Sequence, residues 1–133
     1  MEITLEKQAQ LVQIAERYGL DLIILFGSAA TGKTHPESDV DIAVWGASRL
    51  ELDTFLNLGR DLEFLFPQID LCDLRVAPPL LKAAVVQHGQ VLFERERSAY
   101  QFLKLRFISE YLDFKPWLEK LHQQNAQAIA RLQ

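Results

Sequence analysis

The sequence predicts an α/β domain with helices packed on a sheet. Two observations carry this: four short apolar runs too brief for helices, and segments of helical spacing lying between them. Residues 4–18 form the first helix, with Leu11, Ile14, Ala15 and Tyr18 on one stripe and Gly19 as its stop. Residues 20–26 (LDLIILF) are short and nearly all apolar, as a buried strand requires. A polar loop spans 31–38, and residues 39–45 (DVDIAVW) alternate as a second strand. Residues 49–64 return to helical spacing through Leu52, Phe55, Leu56 and Leu62, until Pro67 breaks the pattern. Residues 68–74 (QIDLCDL) form a third strand. Pro78 and Pro79 open a helix ending at His88, with Gly89 as its cap. Residues 90–93 make a short last strand. Two C-terminal helices are expected, at about 98–112 and 116–132, divided at Pro116. With no repeat and no linker, residues 1–133 read as a single domain, with a core of about 5–95 and a helical extension of about 98–132.

Composition narrows the function. The chain has 133 residues, 49% apolar and 24% charged, with 14 Lys and Arg against 18 Asp and Glu, a net charge of −4. An acidic balance argues against a stable complex with duplex nucleic acid, which needs clustered cations to meet phosphates. A lone cysteine, Cys72, excludes an internal disulfide and a Cys-rich zinc site and reads as a small buried hydrophobe. No apolar run approaches the roughly 20 residues that span a bilayer. Residues 1–7 lack the basic and apolar regions of a leader. The expectation is a soluble, cytoplasmic protein that does not enter the membrane.

The informative stretch is residues 22–45, LIILFGSAATGKTHPESDVDIAVW. Gly27 to Thr34 matches the phosphate-loop pattern GxxxxGK[ST] letter for letter. That loop needs a helix starting at the GKT, whose free N–H groups hold the phosphates. Here Pro36 follows two residues after Thr34, and only four residues separate Thr34 from the next strand. A crossover helix does not fit in that space. The other reading joins Gly27 and Ser28 to Asp39 and Asp41. Gly27 lacks a Cβ, so a triphosphate can approach the backbone, and Ser28 offers a hydroxyl and an N–H at the start of a short turn through Ala29 and Ala30. Asp39 and Asp41, two apart on a strand, share a face at a Cα separation of about 7 Å. Val40, Ile42 and Val44 form the opposite, apolar face. Paired carboxylates repel, and a divalent cation such as Mg²⁺, which prefers hard oxygen ligands and bridges to phosphates, relieves that repulsion. A two-metal site wants a further carboxylate. Asp70 and Asp73 are at hand on the third strand, and Asp70 is the better choice because it projects opposite to the apolar Ile69 and Leu71.

This constellation, Gly27-Ser28, ten residues, Asp39-x-Asp41 and a later Asp70, resembles the minimal nucleotidyltransferases of the DNA polymerase β-like superfamily. More closely it resembles the MNT-type antitoxins that pair with HEPN-domain ribonuclease toxins. The resemblance covers about residues 5–95. It implies a small mixed sheet with helices packed mainly on one face, and transfer of AMP from ATP to a tyrosine of the HEPN partner, which silences the toxin. It also implies that Gly27 and Ser28 hold the triphosphate, that Asp39 and Asp41 bind two Mg²⁺ ions, and that Asp70 binds the metal on the acceptor side and helps take its proton. Many relatives carry a basic residue where this chain has Thr31, so the loop's phosphate contacts differ; Lys33 reads as a solvated side chain. His35, His88 and His122 have no assigned role.

Two other functions share these residues: a nucleotidyltransferase acting on a small molecule, and an antitoxin that blocks its toxin by occlusion without turnover. The first usually needs a larger second domain for its acceptor, and only about 35 residues follow the last strand. On the penultimate helix Tyr100, Leu103, Phe107, Tyr111 and Phe114 form one stripe, while Phe102, Leu105 and Leu112 lie elsewhere. A helix apolar on several faces has two surfaces to bury.

Overall fold

The computed structural model describes residues 3–27, 30 and 39–132. The expected loop at 31–38 lies outside them, as do Ser28 and Ala29. Helix α1 (Leu5–Tyr18) starts at Thr4, whose Oγ1 accepts the Lys7 N–H at 3.1 Å, and stops at Gly19, in the left-handed region at φ +64°. Strand β1 (Leu20–Phe26) leads to β2 (Val40–Gly46), helix α2 (Leu52–Glu63), strand β3 (Ile69–Asp73), helix α3 (Pro79–His88), strand β4 (Gln90–Glu94) and helix α4 (Ala99–Arg131).

The strands form one mixed sheet in the order β3-β2-β1-β4. β1 is antiparallel to both β2 and β4, and β2 runs parallel to β3. The register places Phe26 beside Asp41 and Asp41 beside Asp70. This pairing sets the whole site, because it joins the end of β1 to the starts of β2 and β3.

Helices cover both faces of the sheet, which corrects the expectation of one main face. On one face Leu11, Ile14, Leu58 and Leu62 from α1 and α2 pack on Ile23, Leu25, Ile42 and Val44. On the other, Val85 and Val86 of α3 and Leu103 and Phe107 of α4 pack on Leu22, Ile24 and Ala43. β1 sits between the two cores, and its unbroken apolar run supplies both. Trp45 closes the second core with its ring edge-on to Phe107, centroids 5.4 Å apart. Helix α4 is bound to α3 by Tyr100, whose hydroxyl donates to the Val86 carbonyl at 2.6 Å, and by the Lys82–Glu110 ion pair at 2.8 Å.

The C-terminal segment is also a correction. Residues 99–131 form one helix of 33 residues that continues through Pro116, where two were expected. Proline removes a single N–H from the ladder, and the turns on either side keep their own bonds. On α4 Leu103 and Phe107 are buried, while Phe102, Leu105 and Leu112 are exposed.

Gly89 is the C-cap of α3, as the sequence reads. Its backbone is extended, at φ −75° and ψ 155°, a conformation open to any residue. What it needs is room: a Cβ there would run into the Val85 carbonyl oxygen and Ile24 Cγ2. We expect Gly89→Ala to destabilise the fold by about 1–3 kcal/mol through overpacking, measured as a lower midpoint in urea unfolding with an unchanged slope.

Candidate functional site

The carboxylates gather where β1, β2 and β3 meet. Asp41 is the second residue of β2 and Asp70 the second of β3, and they are direct partners across the parallel ladder. Neighbouring strands lie about 4.8 Å apart and paired residues share a face, so the two side chains rise together. The mutual repulsion of their charges follows from that placement. Asp41 is half-buried, whereas Asp70 and Asp39 are exposed. Asp39 immediately precedes β2, which begins at Val40 rather than at Asp39 as the pattern suggested.

Electrostatics mark Asp41 as the centre. Burial pushes its carboxyl above the ordinary 3.8, and the charges of Asp70 and Asp39 and the Asp70 hydrogen bond push it the same way. Gly27 explains how such a group is accommodated. It follows Phe26, takes φ +71°, and lies so close to Asp41 that any Cβ would collide with the carboxylate. The glycine read from the sequence as a gap for a triphosphate therefore also makes room for the central Asp.

The structure separates Asp70 from Asp73. Asp73 is buried, and its carboxylate accepts the Leu50 N–H at 2.8 Å and the Arg75 N–H at 3.0 Å. It fastens the segment after β2 to the end of β3 and has no share in the acidic site. Cys72, on the same strand, is partly buried, and burial with the charges of Asp73 and Asp70 raises its thiol to about 11. His88 and His122 are exposed, and His35 and Lys33 lie outside the described residues. A cavity of about 510 Å³ is lined by Trp45, Arg75, Arg95, Arg97 and Arg106, but by none of the three site carboxylates. Trp45 lies four residues along β2 from Asp41, about 13 Å at strand rise.

Among the described residues no three His, Cys, Asp or Glu side chains already form a metal-holding set. What the site presents is a coupled pair, Asp41 and Asp70, with the charge of Asp39 reaching the first. The donors are all hard carboxylate oxygens, and the ionised pair is disfavoured as it stands. That chemistry fits a hard divalent cation.

Residues 9–98 match the family model described as polymerase beta, nucleotidyltransferase. The chain belongs to this family. It is 38% identical over 93 residues to the protein adenylyltransferase MntA of Shewanella oneidensis, a match spanning 69% of this nucleotidyltransferase and 66%, just under two thirds, of MntA. Its fold is similar to that of a toxin–antitoxin crystal structure with AMP-PNP, at TM-score 0.78 and 27% identity over 90% of this chain and 98% of the other. A crystal structure of the MntA–HpeT toxin–antitoxin with two Asp-to-Glu substitutions is similar at TM-score 0.77 and 26% identity, with the same coverage. Among the described residues, no helix is long and apolar enough to cross a membrane.

Two outcomes follow from the crowding at Asp41. Its raised folded-state pKa means that the folded protein binds this proton more readily than the unfolded chain. Stability therefore falls as pH rises from about 3.8 through the folded value, and the loss is complete at neutral pH. Asp41→Asn should melt higher than the parent at pH 7 in chelator, with the gap closing as the pH is lowered below 4 in a series of thermal scans. Gly27→Ala should instead lose stability, about 1–2 kcal/mol from the left-handed backbone alone with the carboxylate collision added, read as a lower melting temperature in the same scans.

Proposed function

We propose that this chain is an antitoxin that transfers AMP from ATP to a tyrosine of a HEPN-type ribonuclease toxin and so neutralises it. The observation carrying this reading is the Asp41–Asp70 pair beside Gly27, in a member of the nucleotidyltransferase family similar to MntA. The whole chain acts as one domain, with a catalytic core of about 5–95 and the C-terminal helix as an extension.

In this reading Gly27 and Ser28 hold the ATP triphosphate, where a bare backbone admits the phosphates closely. Asp39, Asp41 and Asp70 would hold Mg²⁺, Asp70 being the carboxylate that faces the acceptor. Two such ions, when bound, offset the charge on the entering and leaving oxygens of the transfer. The tyrosine oxygen attacks the α-phosphorus, a new P–O bond forms, and the bond to pyrophosphate breaks. Asp70, the exposed member of the pair, receives the phenolic proton. The protein supplies mainly alignment, which accounts for chemistry without a catalytic histidine.

The test is to purify the chain with its partner toxin, add Mg-ATP and weigh the toxin intact. We expect adducts of AMP mass, lost on chelation and reduced at least about a thousandfold in rate by Asp39→Ala or Asp41→Ala, the scale of several kcal/mol of charge stabilisation. Full neutralisation by wild type without adducts would replace this reading with occlusion, and adducts confined to a small molecule would replace it with small-molecule transfer.

A further inference from the structure

Among the described residues β3 is an edge strand, with β2 as its neighbour in the sheet. The bonds at its two ends fix which of its backbone groups are used. Val40 N–H donates to the Gln68 carbonyl at 2.7 Å, and Leu74 N–H donates to the Val44 carbonyl at 3.0 Å. In a parallel ladder, alternate residues turn both backbone groups to the same neighbour. The even-numbered residues of β3 therefore bond to β2, and the odd ones turn outward. Asp73 spends its outward carbonyl on Val76 N–H at 3.1 Å. Ile69 and Leu71 are left presenting N–H and C=O away from the sheet, on either side of Asp70.

Two grooves flank this edge. One, of about 420 Å³, is lined by Leu56, Gly59, Ile69 and Asp70, and the other, of about 430 Å³, by Leu52, Cys72, Val76 and Leu81; both share Phe55 and Leu71. Leu52, Leu56 and Val76 are 70%, 55% and 57% exposed. An unpaired strand edge between apolar grooves is a template for another strand.

We propose that the free edge of β3 is the docking site for the protein acceptor, which adds to the sheet as an extended segment and so brings its tyrosine to Asp70. This rests on the transfer reading above and names how that site takes its substrate. The occupant follows from the geometry. Outward N–H and C=O groups in strand register are satisfied by extended backbone, not by a helix or a small molecule. Side chains of an added strand alternate between faces. The one set opposite Asp70 rises on the carboxylate face, while its two neighbours point to the face of Ile69, Leu71 and Phe55. The acceptor is thus a loop or terminal segment with a tyrosine between two apolar residues.

Amide exchange in the complex with the toxin tests this directly, in an Asp39→Ala background that prevents turnover. The Ile69 and Leu71 amides should exchange at least tenfold more slowly in the complex than in the free chain. The Asp70 and Cys72 amides, already bonded to β2, serve as the internal control. Leu56→Glu and Val76→Glu, both on exposed positions, should each remove that protection, and in the otherwise wild-type chain should raise the KM for toxin at least tenfold while leaving the affinity for AMP-PNP unchanged. Unchanged exchange at Ile69 and Leu71 in the complex overturns the proposal. If the wild-type chain transfers no AMP, the transfer reading fails while the exchange result still decides whether the edge is the docking surface.

Discussion

Two carboxylates placed side by side across a parallel pair of strands are a poor choice for stability, and the rest of the fold can be understood as what makes that choice tolerable. Asp41 and Asp70 are adjacent because β2 and β3 run parallel in a register that pairs them. That register is held by apolar residues on both faces, Ile42 and Val44 toward α1 and α2, and Ala43 toward α3 and α4. A slip of one residue would turn every one of these side chains over. The acidic pair therefore cannot relax by moving its strands without sacrificing both cores, and its repulsion is built into the fold.

The placement of Asp73 shows the same economy. Three residues along β3 from Asp70, it has the same chemistry and an opposite use. Its two backbone hydrogen bonds, from Leu50 and Arg75, pin the turn after β2 and the end of β3. Asp70 makes no such backbone contact and is exposed. One strand thus carries a carboxylate consumed by structure and one left for chemistry, and the difference is which face of the strand each occupies.

Much of this was legible in the residues. Strand periodicity put Asp39 and Asp41 on one face of β2 and turned Asp70 away from Ile69 and Leu71 on β3; that the two strands are neighbours was implied only by the resemblance, and the register shows it. The letters GSAATGKT fit a phosphate loop, and the short, proline-containing stretch before β2 was the physical clue against that reading; most of these residues lie outside the described ones. What periodicity could not supply was the number of covered faces. Both helix pairs have apolar stripes, and a stripe does not say which side of a sheet it meets; only the burial of Leu22 and Ile24 together with Ile23 and Leu25 settles that. Pro116 misled because a proline breaks a helix from within only when the neighbouring turns cannot hold it. Gly89 caps α3 as read, and only the contacts that a Cβ would make show that the position needs room rather than a special backbone.

The sheet's asymmetry links fold to function. Its far edge, β4, leads directly into α4, and its interior strands are closed by two cores. β3 is left as the edge beside the acidic pair. In the proposed reading this domain must discriminate a protein acceptor, and the largest cavity described above is lined by none of the three site carboxylates. An open edge next to the reacting carboxylates solves that problem by using backbone geometry as the recognition element. It aligns a flexible substrate over several residues, and the alternation of a strand decides which side chain reaches Asp70. The exposed apolar residues along that edge, a hazard in a chain that worked alone, are then the expected mark of a surface that is covered when the protein acts.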